Sequence, residues 1–78
     1  MKSKKFLVTE LRKVFKEELK MNVKENGKIY DNEKWDSTGN FSLLLSIEKK
    51  FKIRFNPQEF NKLNSFKDIL KIVTKKFK

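Results

Sequence analysis

The chain has no cysteine and no histidine, and only one proline and two glycines among its 78 residues. Each absence removes a class of chemistry. Without cysteine there is no disulfide framework and no thiolate nucleophile. Without cysteine and histidine, zinc sites of the usual kind and a histidine general base are excluded as well. Any thiol used in function must therefore arrive on a cofactor. No apolar run reaches the ~20 residues that span a bilayer or the length of a signal-peptide core, so a soluble, cytoplasmic protein is expected. Acidic residues are scarce too: 10 Asp and Glu stand against 20 Lys and Arg, a formal net charge of +10. The length suits one small domain, residues 1–78, near the size at which a single core barely outweighs chain entropy.

What the chain does have is helical periodicity. Phe6, Leu7, Leu11, Val14, Phe15 and Leu19 recur at helical spacing and predict a first amphipathic helix from about Lys4 to Lys20, lysine-rich on its outer face. From Met21 to Lys34 the period is lost, and Asn22, Asn26, Gly27, Asp31 and Asn32 are turn formers. A long ordered loop is expected there, anchored on the helices by Val23, Ile29, Tyr30 and Trp35. A second helix is predicted from about Ser37 to Lys50. Steps of about 100° per residue put Leu43, Leu44, Ile47 and Phe51 on one side of it. Thr38, Phe41, Ser42, Leu45 and Lys49 fall on another. The apolar arc is wider than a small bundle requires, so Phe41 and Leu45 are either edges of the core or part of a docking surface.

Beyond Phe51, Lys52-Ile53-Arg54-Phe55 alternates as a short strand would, until Asn56-Pro57 ends it. Pro57 suits the first turn of a new helix with Asn56 as its cap, and Gln58 to Lys62 can form a brief helix with Phe60 inward. Ser65 followed by Asp68 is spaced as a capping box, opening a last helix with Phe66, Ile69, Leu70, Val73 and Phe77 on one face. The expected fold is all-α: a small four-helix bundle with one short helix and a long loop between the first two.

One stretch carries chemistry. In WDSTGNFSLLLSIEKKF, Trp35 to Phe51, an Asp-Ser pair stands at the start of the second helix. Asp36 can accept a backbone N–H of the first turn, and the hydroxyl of Ser37 then sits at a helix end with partial positive charge and unpaired N–H groups. A phosphodiester on Ser37 is compatible with that end. Taken as a dipeptide, Asp-Ser has a simpler reading, since most such pairs only cap a helix.

The stretch resembles the attachment motif of acyl carrier proteins, which have Asp-Ser-Leu at this place. The resemblance continues through Ile47-Glu48-Lys49-Lys50-Phe51, Ile53-Arg54-Phe55-Asn56-Pro57 and Ser65-Phe66-Lys67-Asp68-Ile69-Leu70. In that family these are a hydrophobic-Glu-x-x-Phe, a Pro-containing turn and a Ser/Thr-x-x-Asp helix start. It covers roughly the last two thirds of the chain, while the first third matches in helical pattern only. The resemblance implies an acyl-carrier-type bundle and a covalent 4'-phosphopantetheine arm on Ser37. It implies that Asp36 helps a phosphopantetheinyl transferase recognise the site. Thr38, Phe41, Leu45, Glu48 and Lys49 would then face partners: that transferase, an acyl- or aminoacyl-activating ligase, and a downstream transferase or synthase. The chain would be a monomeric carrier and not an enzyme, serving fatty-acid, polyketide or another specialised biosynthesis.

Two features depart from the family. Thr38 stands where Leu is usual, and Lys49, Lys50, Lys52 and Arg54 surround Glu48 with positive charge where relatives are acidic. The net charge also supports a different class of function: a basic helical module that binds nucleic acid or an anionic membrane without modification. Both partners rank below the carrier reading, because the lysines are dispersed and no aromatic-basic stacking platform is present. For a basic carrier, electrostatic complementarity requires partners with acidic or mainly apolar docking surfaces. Lys49→Glu with Lys52→Glu is accordingly expected to weaken binding to the pathway enzymes, measured by titration calorimetry. Tighter binding by the double variant would contradict it.

Overall fold

A left-handed Lys20, φ 55°, ends the first helix and turns the chain into its long connection. A computed structural model describes residues 4–77 and contains, in order, α1 (Lys4–Leu19), α2 (Ser37–Phe51), α3 (Pro57–Lys62) and α4 (Phe66–Lys76). Among the described residues there is no strand, only an isolated antiparallel bridge between Lys28 and Ser65. No helix among them is long and apolar enough to cross a membrane.

The apolar stripes converge as their periods require. Leu7, Leu11, Val14, Phe15 and Leu19 of α1 are buried with Leu43, Leu44, Ile47 and Phe51 of α2 and with Phe66, Ile69, Leu70 and Val73 of α4. α1 thus packs on both α2 and α4. Full burial of each such side chain contributes about 1.5–3 kcal/mol. At the centre, Phe15 meets Trp35 edge to face at 4.9 Å and Phe66 at 5.7 Å, while the Arg12 guanidinium covers the other ring of that pair, 5.6 Å from the Phe66 centroid. Phe6 does not join this core. It lies one step round the helix from Leu7 and is 38% exposed.

α3 is a small cover held by caps and aromatic edges. Asn56 Oδ1 accepts from Glu59 N at 2.8 Å and Glu59 Oε1 accepts from Asn56 N at 2.9 Å, a two-way capping box with Pro57 in the first turn. That bond from Asn56, and the Lys76 ammonium 3.1 Å away, hold the Glu59 carboxyl below its ordinary value. Phe60 is half-buried between Phe41 at 5.4 Å and Phe55 at 5.9 Å. At α4, Ser65 Oγ accepts from Asp68 N at 3.2 Å, a one-way cap in place of the expected box.

The alternation at 52–55 does not become a strand. Lys52 adopts a left-handed conformation, φ 56°, ψ 47°, and its N–H closes α2 on the Glu48 carbonyl. The chain then folds back at once, burying Phe55 with its N–H on Glu48 Oε2 at 2.6 Å. With no neighbouring segment beside it, the alternating pattern records only which residues turn inward.

The connection between α1 and α2 is ordered by its own hydrogen bonds. Ile29 N donates to Asn64 O at 2.8 Å and Phe66 N to Gly27 O at 3.0 Å, stitching the loop to the start of α4. Lys34 Nζ reaches back to Lys20 O at 3.2 Å, and Arg12 Nη1 reaches Val23 O at 2.8 Å. Val23 and Trp35 anchor the loop in the core, and Ile29 packs against its edge. Tyr30 does not anchor it: its side chain is 65% exposed.

Candidate functional site

The first turn of α2 is built by two polar residues with different tasks. Asp36 is extended, φ −105° and ψ −172°, and its Oδ1 accepts from Gly39 N at 2.8 Å, while its carbonyl accepts from Asn40 N at 2.7 Å. Asp36 is therefore the cap, and Ser37 becomes the first helical residue with its side chain exposed. The loop passes very close behind. A Cβ on Gly39 would stand 2.6 Å from the Lys34 carbonyl and 3.0 Å from Leu19 Cδ2, so only glycine leaves room for the loop to deliver Asp36 here.

Asn40 holds this turn from within. Its side chain is buried, with Oδ1 accepting from Trp35 Nε1 at 2.9 Å and Nδ2 donating to the Leu63 carbonyl at 3.0 Å. One amide thereby joins the end of the loop, the start of α2 and the end of α3. Both of its polar atoms are satisfied, as a buried side chain requires.

On the outer side, Ser37 borders a cleft of about 550 Å³ between α2 and α3, lined also by Ile29, Phe41, Leu44, Phe60 and Asn64. The phenolic oxygen of Tyr30 is hydrogen-bonded to Ser37 Oγ. The Asp36 carboxylate occupies one N–H of this helix end, that of Gly39, and no further acidic residue lies within the first turn of α2. The described residues contain no cluster of acidic side chains able to hold a metal ion.

The residues singled out in the sequence fall into two groups. Thr38, Phe41, Leu45 and Lys49 form one exposed stripe running away from Ser37, at i, i+3, i+7 and i+11. Phe41 and Leu45, open between core and surface in the periodicity, are surface residues, 56% and 41% exposed. Glu48, seven residues after Phe41, borders that stripe; it is half-buried, and its carboxylate accepts from the Phe55 N–H, so it also holds the turn after α2.

Two contributors escaped the sequence reading. Asn40 carried a usable signal: it shares the stripe of Leu43, Leu44, Ile47 and Phe51, and a polar residue on a buried stripe needs a partner within the fold. Tyr30 carried none, because only the folded loop places its hydroxyl on Ser37. No family model and no curated protein matches the chain.

Asn40→Leu would leave the Trp35 indole N–H and the Leu63 carbonyl buried and unpartnered. The expected cost is about 2–6 kcal/mol, from about 1–3 kcal/mol for each of the two orphaned groups, read as a lower urea midpoint. A loss below about 1 kcal/mol, the net worth of one ordinary hydrogen bond, would show that this amide does not hold the turn.

Proposed function

We propose that this chain is a carrier protein that holds 4'-phosphopantetheine on Ser37 and passes an acyl or aminoacyl thioester between enzymes of a biosynthetic pathway. The observation that carries the reading is the exposed Ser37 hydroxyl, first in a capped helix and opening onto a partly apolar cleft. The motif resemblance along Asp36-Ser37 and the downstream segments supports the same reading, and so does the bundle of three longer helices and one short one.

The residues present suit the group. A phosphodiester on Oγ adds one negative charge beside the N–H end of α2, where a helix stabilises anions. In the transfer, Ser37 Oγ attacks the phosphorus of coenzyme A that bears the pantetheine. The new O–P bond replaces the bond to 3',5'-ADP, which leaves, and the Ser37 proton passes to a base of the phosphopantetheinyl transferase. The arm supplies the thiol that the chain lacks. Asp36 contributes by fixing the turn on which Ser37 stands, and the cleft beside it offers an apolar resting place for the arm or a short cargo.

Partner enzymes would approach along the exposed stripe of Thr38, Phe41, Leu45 and Lys49, which begins next to Ser37. Phe41 and Leu45 supply an apolar contact of the kind that anchors interfaces, and Lys49 supplies charge at its edge. Glu48, at the border of that surface, has one carboxylate oxygen on the Phe55 N–H. The positive rim selects for acidic or apolar counterparts, as its composition requires.

The test is intact-mass spectrometry after incubation with coenzyme A, magnesium and a broad-specificity phosphopantetheinyl transferase. Wild type is expected to gain one phosphopantetheine and Ser37→Ala none. An unlabelled wild type beside a labelled control carrier would overturn the reading. It would favour the basic-module alternative, in which binding falls steeply with salt and is indifferent to Ser37.

A further inference from the structure

Tyr30 has a constrained backbone and a side chain that adds nothing to the core. Its φ of 75° lies in the left-handed region, which a bulky residue occupies only when its surroundings impose it, and such positions cluster at functional sites. The surroundings are visible. Tyr30 N donates to the Trp35 carbonyl at 2.7 Å, and Trp35 N donates to Asn32 O at 2.9 Å. Asp31 N donates to Lys28 O at 3.1 Å, while Lys28 N donates to Asp31 Oδ2 at 2.9 Å. The short ring of chain from Lys28 to Trp35 is thereby closed on itself and rooted in the core by the fully buried Trp35. Its product is an exposed phenol whose oxygen is bonded to Ser37 Oγ.

Packing does not explain this arrangement, because the ring is 65% exposed. The hydroxyl does. A serine side chain on a helix surface is otherwise free among three staggered rotamers, and a partner fixed from a different segment selects one of them. When Tyr30 donates, Oγ keeps a lone pair for attack and its own proton remains available to a base. Ile29, adjacent in the chain, lines the cleft together with Ser37, so the same loop sets both the hydroxyl and one wall of the space beside it.

We propose that Tyr30 is a positioning residue for covalent modification of Ser37: its hydroxyl holds Oγ in the rotamer from which the phosphorus is attacked. The proposal rests on the carrier reading above. It assigns the 28–35 loop a part in the transfer step and not in docking, so its effect falls on turnover and leaves the affinity of the transferase unchanged.

Tyr30→Phe removes the hydroxyl and keeps the exposed ring, and its urea midpoint is expected to match the wild type. Initial rates of phosphopantetheine transfer from coenzyme A would be measured by intact mass over a range of carrier concentrations. The expected result is a kcat about three- to fivefold lower, the scale of one lost hydrogen bond or of free choice among three rotamers, with KM unchanged. In the unmodified protein, the Hα–Hβ couplings of Ser37 are expected to report one rotamer in wild type and an average in Tyr30→Phe. A kcat equal to wild type, or a loss in KM alone, would overturn the proposal, as would averaged couplings in both proteins. If wild type itself is not labelled in this assay, the carrier reading fails and the proposal with it; labelled wild type with an unaffected Tyr30→Phe fails the proposal alone.

Discussion

The buried amide of Asn40 is the constraint on which the site depends. Its two hydrogen bonds connect Trp35, at the end of the long loop, to Leu63, at the end of α3, through the first turns of α2. Leu63 lies 23 residues beyond Asn40, so the amide fastens the start of α2 to a segment distant in sequence. If the amide were replaced by an apolar side chain, α2 could still bury Leu43, Leu44 and Ile47, but nothing directional would fix where its first turn begins. Apolar packing is tolerant of small shifts; hydrogen bonds at 2.9 and 3.0 Å are not. The position of Ser37 follows from this. The side chain of Ser37 is exposed, while its backbone stands on a capped turn whose other face is locked into the core.

A chain with net charge +10 has few acids to spend on its own architecture, and five of its ten hold helices and turns together. Asp36 caps α2, Glu59 closes the capping box of α3, Glu48 holds the turn into Phe55, and Asp31 closes the loop at Lys28. Glu10 lies 3.2 Å from both Lys13 and Lys50, tying α1 to α2, and these two lysines, Lys13 first, hold its carboxyl below the ordinary range. Each exposed ion pair contributes little to stability. On the surface, 20 Lys and Arg outnumber the 10 acids, so the outer face is predominantly basic.

The three longer helices are readable because each has a buried stripe at its own period; Asp36 and Ser65 precede two of those stripes, and Asn56 precedes Pro57 at the start of α3. The alternation at Lys52–Phe55 is short and isolated, and a period of two needs a neighbouring strand to mean a sheet; a left-handed Lys52 turns the chain there instead. The position of Glu48 on α2 does not announce that, seven residues later, the chain returns to use its carboxylate. In the sequence Tyr30 reads as an anchor, since a loop aromatic gains by packing inward. Its left-handed backbone, which no pattern of side chains announces, turns it outward to Ser37. The elements were thus legible from local periodicity, and the site only in part, because its geometry comes from contacts between the loop and α2.

The central claim is that the locked turn exists to present Ser37 for modification. It is tested most directly by tandem-mass peptide mapping of the protein purified from the cells that make it. The account predicts a phosphopantetheine on the peptide that contains Ser37, released by mild loss of the phosphodiester and absent from every other serine. A protein recovered from its own cells with Ser37 wholly unmodified, or with the group on another residue, would contradict it.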